Sequence, residues 1–176
     1  MRGGYVTASS ELLIDAFDRI AGVVRSTVRG LDAETLGGRV DPDANSIAWL
    51  VWHLTRVQDD HVSEVAGRAQ AWTEEGWAER FALPFDVSDT GYGHSSDDVA
   101  QLADVSATDL VGYHEAVHAR TEEFVRTLTD DDLARVVDRQ WDPPVTLAVR
   151  LVSVISDDLQ HAGQAAYVKG VLQRRG

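Results

Sequence analysis

Residues 45-NSIAWLVWHLTRVQDDHVSEVAG-67 decide the fold. Asn45 or Ser46 offers a side-chain oxygen to cap a helix, and Ile47, Leu50, Leu54, Val57, His61 and Val65 recur on one helical face. Gly67 then supplies the stop. Three further stretches share that pattern. Ser9–Arg29 carries Leu13, Phe17, Ile20, Val24 and Val28 behind a serine cap, and Ala107–Leu128 carries Leu110, Val117, Phe124 and Leu128. Val145–Leu172, after Pro143 and Pro144, carries Leu147, Leu151, Val154, Ile155, Ala162 and Ala165, with Gly163 read as a point of close helix packing. Residues 68–105 show no sustained periodicity, although Asp97 or Asp98 can cap a short helix there. Thr129 and the three aspartates after it start a short turn or helix, and strand is confined to short pieces such as Val136–Trp141. The expectation is an all-α four-helix bundle, one domain over residues 1–176, with a long crossover between the second and third long helices.

Composition narrows what such a bundle can do. The chain has no cysteine, which excludes disulfides, thiolate-ligated metals and a protein thiol nucleophile; any thiol chemistry needs a thiol brought by a substrate. A net charge of −13 argues against nucleic acid as a partner, because a phosphate-tracking groove needs clustered Lys and Arg. No apolar stretch approaches a membrane span, and MRGGYVTASSE lacks the apolar segment of a secretory signal, so a cytoplasmic protein without a membrane partner is expected. Lys169 is the only lysine, and the bias toward Arg, Ala, Val, Gly and Asp points to a high-GC source.

Few residues carry chemistry. His53 lies at the edge of the apolar stripe of the second long helix, where an imidazole either bonds a neighbour or faces a cavity between helices. Asp157 and His161, four residues apart, leave one face of the last helix a turn apart and can take two cis positions on one metal ion; alone, the same spacing describes a surface ion pair. Asp158 points more directly into the apolar stripe than Asp157 and is read as the ligand in its place, as a partner that holds a ligand, or as a buried acid paired with an arginine. His114-Glu-Ala-Val-His118 spells the HExxH of zinc proteases, yet no glycine and third histidine follow and no edge strand precedes it, so it is set aside. In Asp89-Thr-Gly-Tyr-Gly-His94 two glycines allow close backbone approach, with Tyr92 and His94 as aromatic or titratable groups. The five tryptophans are assigned mostly to core or cavity wall, and Trp49, sharing a face with His53, to the lining of a pocket.

Taken together, 45-NSIAWLVWHL-54 and 157-DDLQHAGQAAY-167 resemble the DinB/YfiT-like putative metalloenzyme superfamily, over nearly the whole chain in helix order. The resemblance implies that His53, Asp157 and His161 ligate a divalent metal, zinc first, with nickel, iron and manganese suited by donor type. A carboxylate at position 157, where many members have histidine, is what the mycothiol-dependent maleylpyruvate isomerases carry, and within the superfamily the chain looks most like the mycothiol S-transferase branch of high-GC actinobacteria. That branch implies a mycothiol S-transferase acting on a small electrophile, with mycothiol as cosubstrate. Trp49, Tyr92, His94 and Gln164 are then the expected substrate contacts, while no catalytic residue is assigned. A non-catalytic metal- or small-ligand-binding stress protein and a metal-dependent hydrolase are the competing functions, and a homodimer through an apolar outer face is a further expectation.

Overall fold

In a computed structural model, residues 6–175 are described; residues 1–5 and 176, which belong to the expected domain span and to the segment read for a secretory signal, lie outside them. The order is α1 (Ala8–Val28), α2 (Ala33–Gly37), α3 (Ile47–Ala66), α4 (Ala71–Glu74), α5 (Trp77–Phe81), α6 (Ser96–Ala100), α7 (Ala107–Arg126), α8 (Asp130–Leu133), β1 (Val136–Asp138), β2 (Val145–Thr146) and α9 (Leu147–Arg175). Hydroxyl caps set the starts of the first three long helices. Thr7 accepts from Ser10 N, Ser46 from Trp49 N and Ser106 from Asp109 N. Gly67, at φ 67°, ends α3 in the left-handed conformation that glycine adopts without penalty, and Arg68 N reaches back to Ser63 O at 3.1 Å.

The chain is mostly helical. α3 packs on α7 and α9, and α1 packs on the same two from the other side. α3 is buried almost all round, because the 68–105 crossover covers the face that the long helices leave open. There Trp52 meets Trp72 and Phe85 at ring-centroid distances of 6.3 and 5.8 Å. The crossover holds α4, α5 and α6 and sends Trp72, Phe81, Val99 and Leu102 into the core.

Several local expectations need correction, beginning with two caps: that of α1 is Thr7 and not a serine, and that of α6 is Ser95 and not Asp97 or Asp98. The connector before α3 contains α2, capped by Asp32. The last helix begins at Leu147, not Val145, because Val145 and Thr146 pair antiparallel with β1, and it continues to Arg175. Gly163 faces open space, with nothing within 4 Å of a Cβ built on it, so it is not a packing point. Trp141, 67% exposed, is neither core nor cavity wall. Among the described residues no helix is long and apolar enough to cross a membrane.

Candidate metal centre

His53 on α3 and Asp157 and His161 on α9 meet where these two helices pack, and one potential ligand atom from each lies within 4.8 Å of the other two. The helical period explains the grouping. Four residues separate Asp157 from His161, so their side chains stack along one face of α9, with Asp157 Oδ1 3.6 Å from His161 Nε2. Asp158, 100° further round, joins the inward line of Val154, Ala162 and Ala165. It is fully buried, neither oxygen has a hydrogen-bond partner, and burial pushes its carboxyl well above the ordinary carboxylate range. Burial thus favours the protonated form of Asp158 in the core, and Asp157 is the carboxyl group that joins the two histidines.

Both imidazoles are oriented by oxygen acceptors. His53 Nδ1 is 2.5 Å from the carbonyl oxygen of Thr90, which can only accept, so that nitrogen carries the proton and Nε2 keeps its lone pair. His161 Nδ1 likewise donates to Gln164 Oε1 at 2.9 Å. Metal-binding histidines are commonly held in this way, through the nitrogen that does not ligate. Trp49 lies flat on His53, with ring centroids 4.6 Å apart and planes 15° apart.

The loop carrying Thr90 is clamped from below. Arg56, with a fully buried side chain, donates from Nε to Asp89 O at 3.0 Å and from Nη1 to Gln70 Oε1 at 2.7 Å. Asp89 Oδ1 accepts from Gly91 N at 2.7 Å, while Oδ2 lies 3.1 Å from His94 Nε2, and His94 Nδ1 accepts the Trp49 indole N–H at 3.0 Å. None of these holding residues was read from the sequence apart from Trp49, His94 and Gln164. Thr90 acts through its backbone, which no side-chain pattern reveals. The available signal for Arg56 is an arginine one turn after His53 amid Trp49, Trp52 and Leu54.

The cluster suits a divalent cation. Burial lowers the His53 pKa and His161 lowers that of Asp157, so near neutral pH one is an uncharged imidazole and the other a carboxylate, the forms that ligate. Asp157 in turn raises the His161 pKa, so a metal must compete there with a proton. Asp157 Oδ2 is buried without a hydrogen-bond partner, an orphaned donor atom that a cation would satisfy. Two imidazoles and a carboxylate match zinc and several transition metals by donor type.

The remaining candidates lie elsewhere. In the HExxH stretch His114 is buried against Thr55 and His118 pairs with Asp18 on α1, so the two serve helix packing. Gly91 at φ 93° and Gly93 at φ 78° turn the loop so that Tyr92 is left 95% exposed. His94 is wedged among Trp49, Trp52 and Phe85 with its side chain 6% exposed. Tyr92 thus stands out into solvent, and His94 pins the loop through Asp89 and Trp49. Gly91 is the tight point of this loop, since a Cβ there would lie 2.9 Å from His53 Nδ1 and 3.0 Å from Trp52 Cζ3. Gly91→Ala is expected to destabilise the fold by about 2 kcal/mol, through positive φ and overpacking. It should also weaken metal retention by displacing His53; urea unfolding and a chelator competition check the two effects.

A family model described as Mycothiol-S-transferase matches residues 12–173. A crystal structure of a conserved protein from Enterococcus faecalis is similar at a TM-score of 0.84 and 30% identity, with 91% of this chain and 94% of that chain covered. No curated protein matches the chain.

Proposed function

We propose that this chain, which belongs to the mycothiol S-transferase family, joins mycothiol through its thiol sulfur to a small electrophile. The observation carrying the proposal is the grouping of His53, Asp157 and His161, with both histidines presenting Nε2 and a chain that has no cysteine of its own. These three residues would hold the metal, zinc first among the candidates. A bound divalent cation of this kind lowers the pKa of a coordinating thiol and so favours the thiolate.

The protein's own contribution is placement. Thr90 and Gln164 fix the imidazole tautomers and ring directions, and Trp49 covers one face of His53 and excludes water from it. In the overall transfer the thiol sulfur forms a bond to the electrophilic carbon. The leaving group departs with its bonding pair, and the thiol proton passes to solvent. Gln164, already bonded to His161, and Trp49 are the side chains nearest to a substrate placed there.

The test combines metal analysis with turnover. Purified wild-type protein is expected to retain about one divalent metal per chain and His161→Ala to lose it. With mycothiol and a bromobimane electrophile, the wild type should outpace His53→Ala by at least about a hundredfold, the upper end of what losing a mere supporting partner of a ligand costs. Equal rates in the two proteins would overturn the transferase reading, and ester or amide cleavage without added thiol would replace it with hydrolysis.

A further inference from the structure

The outer face of α9 departs from the rest of the helical surface. Between Val149 and Tyr167 ten residues of α9 are exposed and none is charged, whereas five of the nine exposed residues of α1 are Asp, Glu or Arg. In a chain of net charge −13 a solvated helix face carries charges, and the centre of a contact surface is depleted of them. Val149, Val152, Leu159 and Tyr167 stand 50, 57, 51 and 68% exposed, four of the eight large apolar side chains exposed among the described residues.

The spacing along this face is that of a helix seam. Positions 149, 152, 156, 159, 163 and 166 alternate steps of three and four, the heptad period at which one helix meets another. The seam lies opposite the inward line of Leu151, Val154, Asp158 and Ala162, while Asp157 and His161 lie round toward α3, off it. Size alternates within it. Val152 and Leu159 hold one heptad position, and the small Ser156 and Gly163 hold the other. A parallel pair would set like on like, Leu159 against Leu159 and Gly163 against Gly163, crowding one level and leaving a gap at the next. An antiparallel pair about a two-fold axis between positions 157 and 158 sets Leu159 on the partner's Ser156, Val152 on the partner's Gly163 and Val149 on the partner's Ala166. Within one copy a Cβ built on Gly163 meets nothing within 4 Å, so that socket is open.

We propose that α9 pairs antiparallel with the α9 of a second copy of this chain, forming a two-fold dimer. A second copy fits because the seam complements itself, large on small at each level. Two strongly acidic chains also repel least where neither presents a charge. The seam runs about 30 Å and is roughly 10 Å across; with the relief of its side chains, the two copies together bury on the order of 1,000 Å², the lower bound for a specific interface. Nothing in this pairing depends on the transferase reading.

Analytical ultracentrifugation of the full chain should find a dimer at about 100 μM, the range in which an interface of this size holds. Leu159→Glu and Val152→Glu should each weaken it at least about a hundredfold, because the seam has no counter-charge for a carboxylate. Both positions are exposed in a single copy, and unchanged metal content and far-UV circular dichroism will show that each variant is folded. The absence of native cysteine makes the register readable by cross-linking. Under mild oxidation Val152→Cys and Gly163→Cys should form an interchain disulfide when mixed but not alone, since like positions stand about 16 Å apart along the axis, beyond the roughly 7 Å that a disulfide spans. A wild type monomeric at about 100 μM, a dimer indifferent to both glutamates, or a cysteine variant that cross-links alone as readily as in the mixture overturns the proposal. A monomer that sediments with phosphatidylcholine vesicles would give the seam to a lipid surface and overturns it equally.

Discussion

Arg56→Met is expected to cost about 3–5 kcal/mol of folding stability, the usual penalty for removing one partner of a buried charge pair. The Arg56 and Asp59 side chains are 0% and 2% exposed, with Nη1 3.9 Å from Asp59 Oδ2. The guanidinium also donates to Asp89 O, Gln70 Oε1 and Tyr113 Oη, and lies over Trp72 at 5.1 Å. Methionine fills much of the volume and replaces none of the donors. Asp59 keeps the amides of Ala71 and Trp72 and the Tyr113 hydroxyl, but loses its only close positive charge among the described residues. Lysine should not rescue, because a single ammonium cannot reach the loop carbonyl and the Gln70 amide in the fixed fork of a guanidinium. Arg56→Met/Asp59→Asn should recover part of the loss, since the unpaired charge goes with it. Equilibrium urea unfolding reads all four proteins, and a loss below about 1 kcal/mol in Arg56→Met would show the network to be incidental. Because Asp89 O precedes the Thr90 carbonyl that orients His53, the same variant should also release metal to a chelator faster than wild type.

What the sequence disclosed about this arrangement follows from distance along the chain. The long helices are legible because residues such as Phe17, Ile20, Val24 and Val28 repeat over several turns, and the placement of Asp157 beside His161 follows from the period of one helix. Helices as short as α2, α4 and α5 complete too little of a period to show one, and what defines α6 and α8 is the pair of capping boxes Ser95/Asp98 and Thr129/Asp132. The choice between Asp157 and Asp158 required the structure, because 100° of helix decides it and sequence periodicity alone does not fix the angle at which α9 meets α3. The direction in which Tyr92 points was illegible for a related reason. Two glycines with positive φ set the loop's direction, and residue types do not reveal which side chain that direction throws outward. The part least legible is the hold on His53, which passes through a backbone carbonyl and an arginine contributed from three residues further along the same helix.

Acidification should destabilise the protein through His114 from about pH 6.5 downward, a loss that begins before the carboxylates are protonated. This imidazole is fully buried; desolvation first, then the nearby His118 and Arg25, bring its pKa down to about 3. Thr55 Oγ1 donates to Val51 O at 2.7 Å and lies 3.1 Å from His114 Nδ1, so it accepts from a proton there, and buried Nε2 keeps a lone pair without a partner. The folded state thus holds neutral His114 while the unfolded chain protonates it near its ordinary value of 6.5. Since the folded pKa is the lower one, the contribution is intact above pH 6.5 and is lost as pH falls toward 3. The slope is about 1.4 kcal/mol per pH unit and the total on the order of 4 kcal/mol. Of the two cluster histidines, His53 adds to this slope and His161 opposes it, because their pKa values move down and up respectively. His114→Gln separates the contributions, as glutamine has the same charge at every pH. Its stability at pH 7 is expected to be lower than wild type, through the lost ring packing, but to change less between pH 6.5 and 4.5. Parallel stability curves for the two proteins across that window would mean that His114 takes up its proton without unfolding, through a side-chain rearrangement that opens Nε2 to water.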